Sequence, residues 1–222
     1  MPMRFRAAAL TVVVFAVAMA YLESAVVVYL QRALDITPDR LFPLRGPEMV
    51  GDLAAIEVGR EFATLIMLAG IGWLAGRSRL ERLAWTAVAF GIWDVFYYLW
   101  LAVFLGWPNS PGTWDVLFLI PVPWAGPVWA PMVVSAGLIG FGLAAAHRLQ
   151  TGVALRAGAR EVGLGLTGGL LVVLSFTVDA PRLMAGGLPG WFPWPLFAAG
   201  MASAACGATL VLRRGARETA AA

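Results

Sequence analysis

The sequence predicts an all-α polytopic membrane bundle of about six transmembrane helices, forming one domain across residues 1–222. Composition is the first observation behind this: 60% of the residues are hydrophobic and 13% charged, with a mean hydropathy of +0.79, outside the range of soluble domains. The second is that apolar runs of about 20 residues, long enough to cross a hydrocarbon layer, recur along the chain. The third is that the arginines cluster in alternate connections, as the positive-inside rule requires.

Taken in order, the first span is expected at 7–30. Arg4 and Arg6 precede it as in a signal peptide, but the apolar stretch is long and lacks a small-residue cleavage site, so it reads as a retained helix. The second, 50–75, is the least apolar and carries Asp52, Glu57, Arg60 and Glu61. The third, 83–105, contains Asp94. Between 106 and 125 lies a connection rich in tryptophan and proline, including Trp107, Pro108, Trp114, Pro121, Pro123 and Trp124. It reads either as an interfacial aromatic belt with proline-terminated helices or as a re-entrant, lid-like segment, 114–124, covering a pocket. The remaining spans are expected at 126–146, 162–183 and 195–212. Ten-residue alternating segments, the signature of a membrane barrel, are absent from the sequence.

Orientation follows from the arginines, since lysine is missing entirely. With the N-terminus inside, Arg4, Arg6, Arg77, Arg79, Arg82, Arg148, Arg156, Arg160, Arg213, Arg214 and Arg217 fall on the cytoplasmic side. Arg32, Arg40, Arg45 and Arg182 fall outside, and Arg60 alone lies within a span. Both termini are therefore expected in the cytoplasm. The first outer loop, with Asp35, Asp39 and Glu48 among its arginines, is the weakest part of the bias. The net charge of +3 is explained by topology, and no concentrated basic face suggests a nucleic-acid partner.

Candidate chemistry lies among the ionisable residues inside the spans, because charge in the bilayer is costly unless paired, solvated or functional. Glu23 sits 16 residues beyond Ala7, roughly 24 Å along a helix, in the outer half. Asp52, Glu57, Arg60 and Glu61 share that half, and Asp94, about 16 Å into its span, is near the midplane. An outward-opening carboxylate pocket accounts for these depths. Glu57 and Glu61 are four residues apart and Arg60 is three from Glu57, so all three occupy adjoining helix faces. Arg60 is expected to neutralise one carboxylate, leaving either a structural ion pair or a free carboxylate for a proton, cation or substrate. Tyr97 and Tyr98, three and four residues after Asp94, are each placed to hydrogen-bond it. That bond would satisfy a buried acid or orient a general acid. Glu57, Glu61 and Asp94 are thus candidate acid/base groups, with Glu23, Arg60, Trp93, Tyr97, Tyr98 and Asp115 as candidate binding residues.

The alternatives for several of these are open. Asp115 reads as a helix N-cap or a site residue, and Glu23 as an Arg60 partner or a direct participant. Asp179 with Arg182 reads as a helix-end ion pair ahead of any site. His147, the one histidine, stands beside Arg148 at an expected helix end, against a histidine triad, haem ligation or ordinary catalytic zinc. Without lysine no protein Schiff base forms. Cys206 is the one cysteine, ruling out an intrachain disulfide. Mg²⁺ or Ca²⁺ is compatible with the oxygen donors but called for by no motif, so no metal ligand and no cofactor are assigned.

Four segments, Glu23–Leu30 (ESAVVVYL), Gly59–Thr64 (GREFAT), Trp93–Tyr98 (WDVFYY) and Trp114–Trp124 (WDVLFLIPVPW), resemble an uncharacterised family of bacterial multi-pass membrane proteins. The resemblance covers about residues 20–135 and implies a bacterial inner-membrane location, with no activity attached. Trp93-Asp94-Val95-Phe96-Tyr97 is also similar to the Trp-Glu-x-x-Tyr stretch of small membrane-embedded terpene cyclases, which use acidic residues to start cyclisation. Three functions are consistent with the whole: acid/base chemistry on a lipid or isoprenoid, with Arg60 holding an anionic head group; a proton- or cation-linked transporter or channel; or a non-catalytic subunit or assembly factor of a membrane complex. The last draws on small-residue faces at Gly163-Leu164-Gly165 and Gly200–Gly207.

Overall fold

In the computed structural model, residues 3–37, 41–42, 44 and 53–220 are described, with side chains of 53–54 and 215–220 left aside. Asp39, Arg40, Arg45, Glu48, Asp52, the first residues expected in the second span and the Arg217 side chain lie outside them. The elements run α1 (Met3–Ala33), α2 (Leu53–Ala75), α3 (Arg79–Leu105), β1 (Trp114–Phe118), β2 (Trp124–Pro127), α4 (Trp129–Gln150), α5 (Ala159–Thr177), the short α6 (Ala180–Met184) and α7 (Trp194–Ala220). Among the described residues, six helices are long and apolar enough to cross a membrane, with α5 and α6 forming one span. The protein is a multi-pass membrane bundle.

Helix α3 is the centre of the first four. Its start is set by Ser78, whose hydroxyl accepts the Glu81 amide at 3.2 Å, and its end by Gly106, whose left-handed φ of 64° suits a residue without a Cβ. Along its length Ala84, Trp85, Val88, Ala89, Ile92 and Trp93 are buried in the main apolar core, which α1 joins through Val12, Ala16 and Ala20. Helix α4 approaches α3 so closely that a Cβ on Gly142 would stand 2.6 Å from the Ala84 carbonyl oxygen, so any larger residue there would push the helices apart.

Both ends of the described chain gather at one end of this bundle. Arg4 pairs with Glu81 at 3.6 Å, Phe5 packs edge-on against His147, and Arg148 Nη1 donates to the Leu212 carbonyl at 2.5 Å. The opposite end carries a feature the sequence reading did not assign. Residues 114–127 form an antiparallel β-hairpin, pairing Trp114 with Pro127, Asp115 with Gly126, Val116 with Ala125 and, after a bulge, Phe118 with Trp124. The fourth span accordingly begins at Trp129 and not at 126, because Gly126 and Pro127 are committed to β2. Asp115 is a strand residue, which overturns its reading as a helix cap.

Helices α5 and α7 form a separate antiparallel pair, joined to the rest through α4 and the hairpin. A Cβ on Gly168 would meet the Ala204 nitrogen at 2.5 Å and the Gly200 oxygen at 2.7 Å, a contact that small residues alone permit. At the hairpin end, Phe176, Phe192 and Phe197 form an apolar cluster beneath Trp114 and Trp124, with Trp129 and Trp194 stacked at 4.2 Å beside it.

Candidate functional site

The hairpin roofs a small polar chamber inside the α1–α4 bundle. The chamber has a volume of about 50 Å³ and is walled by Glu23 from α1, Arg60 and Glu61 from α2, and Trp93, Asp94, Tyr97 and Tyr98 from α3. Its roof is Val116, Leu117 and Phe118 of β1. That volume exceeds the roughly 10–15 Å³ needed to admit a water, so the chamber has room for water. Seven of the nine sequence-predicted site residues therefore line one space. The other two, Glu57 and Asp115, are joined to it by direct contacts.

Arg60 organises the α1–α2 side. Its Nη1 pairs with Glu23, its Nη2 pairs with Glu57, and its Nε donates to Glu57 Oε2 at 2.9 Å. The expected Glu57–Arg60 pair one turn apart is formed, and Glu23 pairs with Arg60, as one of its two readings expected, while also lining the chamber. The second Glu23 oxygen accepts from the Thr64 hydroxyl at 2.9 Å. Glu61, on the adjoining face, makes no ion pair among the described residues. Both its oxygens instead accept the Leu119 backbone N–H, at 2.9 and 3.0 Å. Leu119 follows β1 directly, so this bond ties the hairpin to α2.

On the α3 side the expected tyrosine–Asp94 bond is not made. Asp94 Oδ2 accepts from the Ser135 hydroxyl of α4 at 2.7 Å, while Tyr98 turns to the hairpin and donates to Asp115 Oδ2 at 3.0 Å. The reason is positional: β1 places a second carboxylate against Tyr98, while α4 supplies a shorter donor for Asp94. The other Asp115 oxygen accepts the Val116 amide at 2.8 Å. Burial pushes the Asp115 carboxyl up to about 7, against the opposing pull of the Tyr98 and Val116 hydrogen bonds. Tyr97 stacks near Trp93, 6.3 Å between ring centres. Its backbone carbonyl accepts from Ser24 at 3.1 Å. The indole N–H of Trp93 is buried without a hydrogen-bond partner among the described residues.

Asp179 lies elsewhere and takes no part. It accepts the Gly190 amide at 2.6 Å, and no ion pair joins it to Arg182 among the described residues. Toward the terminal end, beyond Asp94, the bundle is closed by Trp85, Val88, Ala89 and Ile92.

Thr64, Ser135 and the Leu119 amide were not singled out from sequence. A hydroxyl in an apolar span is a weak signal, because it usually bonds back to its own helix, as Ser175 does to Val172 and Thr177 to Val173. Among the described residues, no three His, Cys, Asp or Glu side chains are grouped to hold a metal ion. Comparison of the chain with family models, curated proteins and solved structures found no match to any of the three.

Proposed function

We propose that the carboxylate chamber binds and releases a small cation, the proton foremost, as the ion-linked step of a membrane transporter. One observation carries this reading: Arg60 is engaged by Glu23 and Glu57, so Glu61, Asp94 and Asp115 are held by neutral donors alone. These three carboxyls are 4%, 7% and 4% exposed. Three buried carboxyls without an ion pair among the described residues are untenable as anions in a membrane, where ionisable groups are paired, protonated or neutralised by a bound ion. The chamber suits such an occupant in size, since organic ligands fill sites of about 300–1,000 Å³. The arginine bias and the family resemblance favour a bacterial inner membrane with both termini cytoplasmic, so that the hairpin faces outward.

Chemistry on a lipid or isoprenoid has one observation of its own in favour. An apolar groove of about 590 Å³ runs between α1 and α3, lined by Val14, Val17, Tyr21, Leu22 and Trp100 among others. On this reading the hairpin lifts to admit the head group beside Arg60, while the chain lies in the groove.

Reconstitution into liposomes tests the first reading. The wild type is expected to collapse an imposed proton or cation gradient, and Glu61→Gln to lose that flux with unchanged expression and thermal stability. Flux no greater than in empty liposomes would sink the transport reading, and an unaffected Glu61→Gln would remove Glu61 from the site.

A further inference from the structure

We infer that the chamber is a water-filled proton-exchange site in which Asp94 is the group that takes up and gives back the proton. This rests on the ion-linked reading and names its ion. The argument is the complementarity of what the walls leave unused. Both oxygens of Glu23, Glu61 and Asp115 are occupied, by Arg60 and Thr64, by the Leu119 amide, and by Tyr98 and Val116 respectively. Asp94 differs: Oδ2 is held by Ser135, outside the chamber wall, and Oδ1 accepts no hydrogen bond among the described residues. On the donor side, the Trp93 indole N–H is 4% exposed as a residue and unpartnered.

Asp94, with its open acceptor, and Trp93, with its unused donor, both line this one space. An occupant that satisfies both groups must donate and accept. A metal cation or an ammonium ion accepts nothing and would leave the indole N–H orphaned, whereas water serves both groups and fits the volume. Leaving a buried N–H unpaired forfeits the hydrogen bond it had in water, which favours a filled chamber over a dry one.

The exchange itself is simple. The Asp94 carboxyl O–H bond breaks as its proton bonds to the adjacent water, and one O–H bond of that water breaks as a proton bonds to the next water. Asp94 is left as carboxylate with the excess proton on the water, and uptake runs the same steps in reverse. The charged and titratable groups facing it are Glu23 from α1, Arg60 and Glu61 from α2, Tyr97 and Tyr98 on its own helix, and Asp115 from the hairpin; α4 contributes only the Ser135 hydroxyl.

Infrared difference spectroscopy of the full chain in lipid nanodiscs, between acidic and alkaline buffer, tests this. A protonated-carboxyl C=O band should appear on acidification, shift promptly in D₂O, and be absent in Asp94→Asn. Should that variant fail to fold, Ser135→Ala assigns the band instead. With the hydroxyl gone, the C=O stretch of Asp94 moves to higher frequency. A band that persists in Asp94→Asn or is unmoved in Ser135→Ala overturns the assignment to Asp94. A band that resists deuterium exchange overturns the water-filled chamber. Failure of the transport reading is separable: a titrating, exchanging Asp94 without liposome flux discards transport and keeps this site. Flux of a metal cation or amine with a silent Asp94 does the reverse.

Discussion

The α1–α4 bundle and the α5–α7 pair solve the same problem, burial of helices in lipid, by opposite means. In the pair, backbones touch at Gly168, Gly200 and Gly207, and the polar groups are absorbed locally. Ser203 donates to the Leu164 carbonyl at 2.9 Å, and Glu161 stays at the helix start, where it accepts the Gly158 amide at 2.8 Å and meets Arg214 at 3.8 Å. In the bundle, by contrast, carboxyls from three helices and a strand are drawn into the interior around a single guanidinium. Dry packing of small residues is sufficient to hold helices together in a membrane. The costly alternative in the bundle therefore calls for a purpose other than stability.

The largest effect should come from removing the one cation. Arg60→Leu leaves Glu23 and Glu57 facing each other without it, and breaking a buried pair in this way costs about 3–5 kcal/mol. The expected result is loss of folded protein, or a marked fall in thermal midpoint by tryptophan fluorescence. A midpoint equal to wild type would mean that the bundle's charges are solvated and not structurally engaged.

Next in size is a pH dependence confined to the hairpin. The Asp115 carboxyl is raised from an ordinary 3.8 to about 7, so between those values the folded chain holds a proton that the unfolded chain has released. Stability from this group is full below the lower value, declines as pH rises at up to about 1.4 kcal/mol per pH unit, and levels off above the upper one. Thermal midpoints of wild type minus those of Asp115→Asn, measured across that window, should show this decline. A flat difference would remove Asp115 as a proton-holding group. Its bond with Tyr98 would then be purely structural.

Much of this contrast was legible in the sequence, though unevenly. Span lengths and the Glu57–Arg60 pair follow from apolar length and helical spacing, which are local properties. Depth along separate helices put Glu23, Glu61 and Asp94 at compatible levels and suggested a pocket, but it carried no information on whether they meet. The hairpin was not legible, because Val116–Val122 is a short apolar run and Trp124-Ala125-Gly126-Pro127 contains two residues poor in strands. Their strand character comes from pairing with each other. The choice between Tyr98–Asp94 and Tyr98–Asp115 was undecidable for the same reason: helical spacing offers the first, and only the docked hairpin supplies the second. Ser135 bonds Asp94 across 41 positions of sequence, beyond any local rule.

The pair should answer to size and not to charge. Gly168→Leu must displace Ala204 and Gly200 backbone, an overpacking worth about 1–3 kcal/mol. It should lower the thermal midpoint while leaving the Asp94 infrared band and any liposome flux intact, since Gly168 packs against Ala204 and Gly200 of α7. Loss of flux would show that the two halves move together.

The smallest effect concerns the outward glycines, and it bears on the subunit reading. Of the two small-residue faces, Gly200 and Gly207 are used up within the pair, whereas a Cβ on Gly163 or Gly165 would meet nothing within 4 Å. Gly163→Ala is therefore expected to raise stability of the isolated chain by about 0.5–1 kcal/mol through reduced backbone freedom. Gly165→Leu, pointing into open space, should leave size-exclusion behaviour and thermal midpoint unchanged. If α5 docks a partner helix in its native membrane, the same leucine would break a co-purifying complex that the wild type retains. A neutral Gly165→Leu in the purified chain, joined to a lost partner in membrane extracts, is the one pattern that would make the dry half of the molecule an interface. Neutrality in both settings confines it to scaffolding, and leaves the chamber as the part of the protein with work to do.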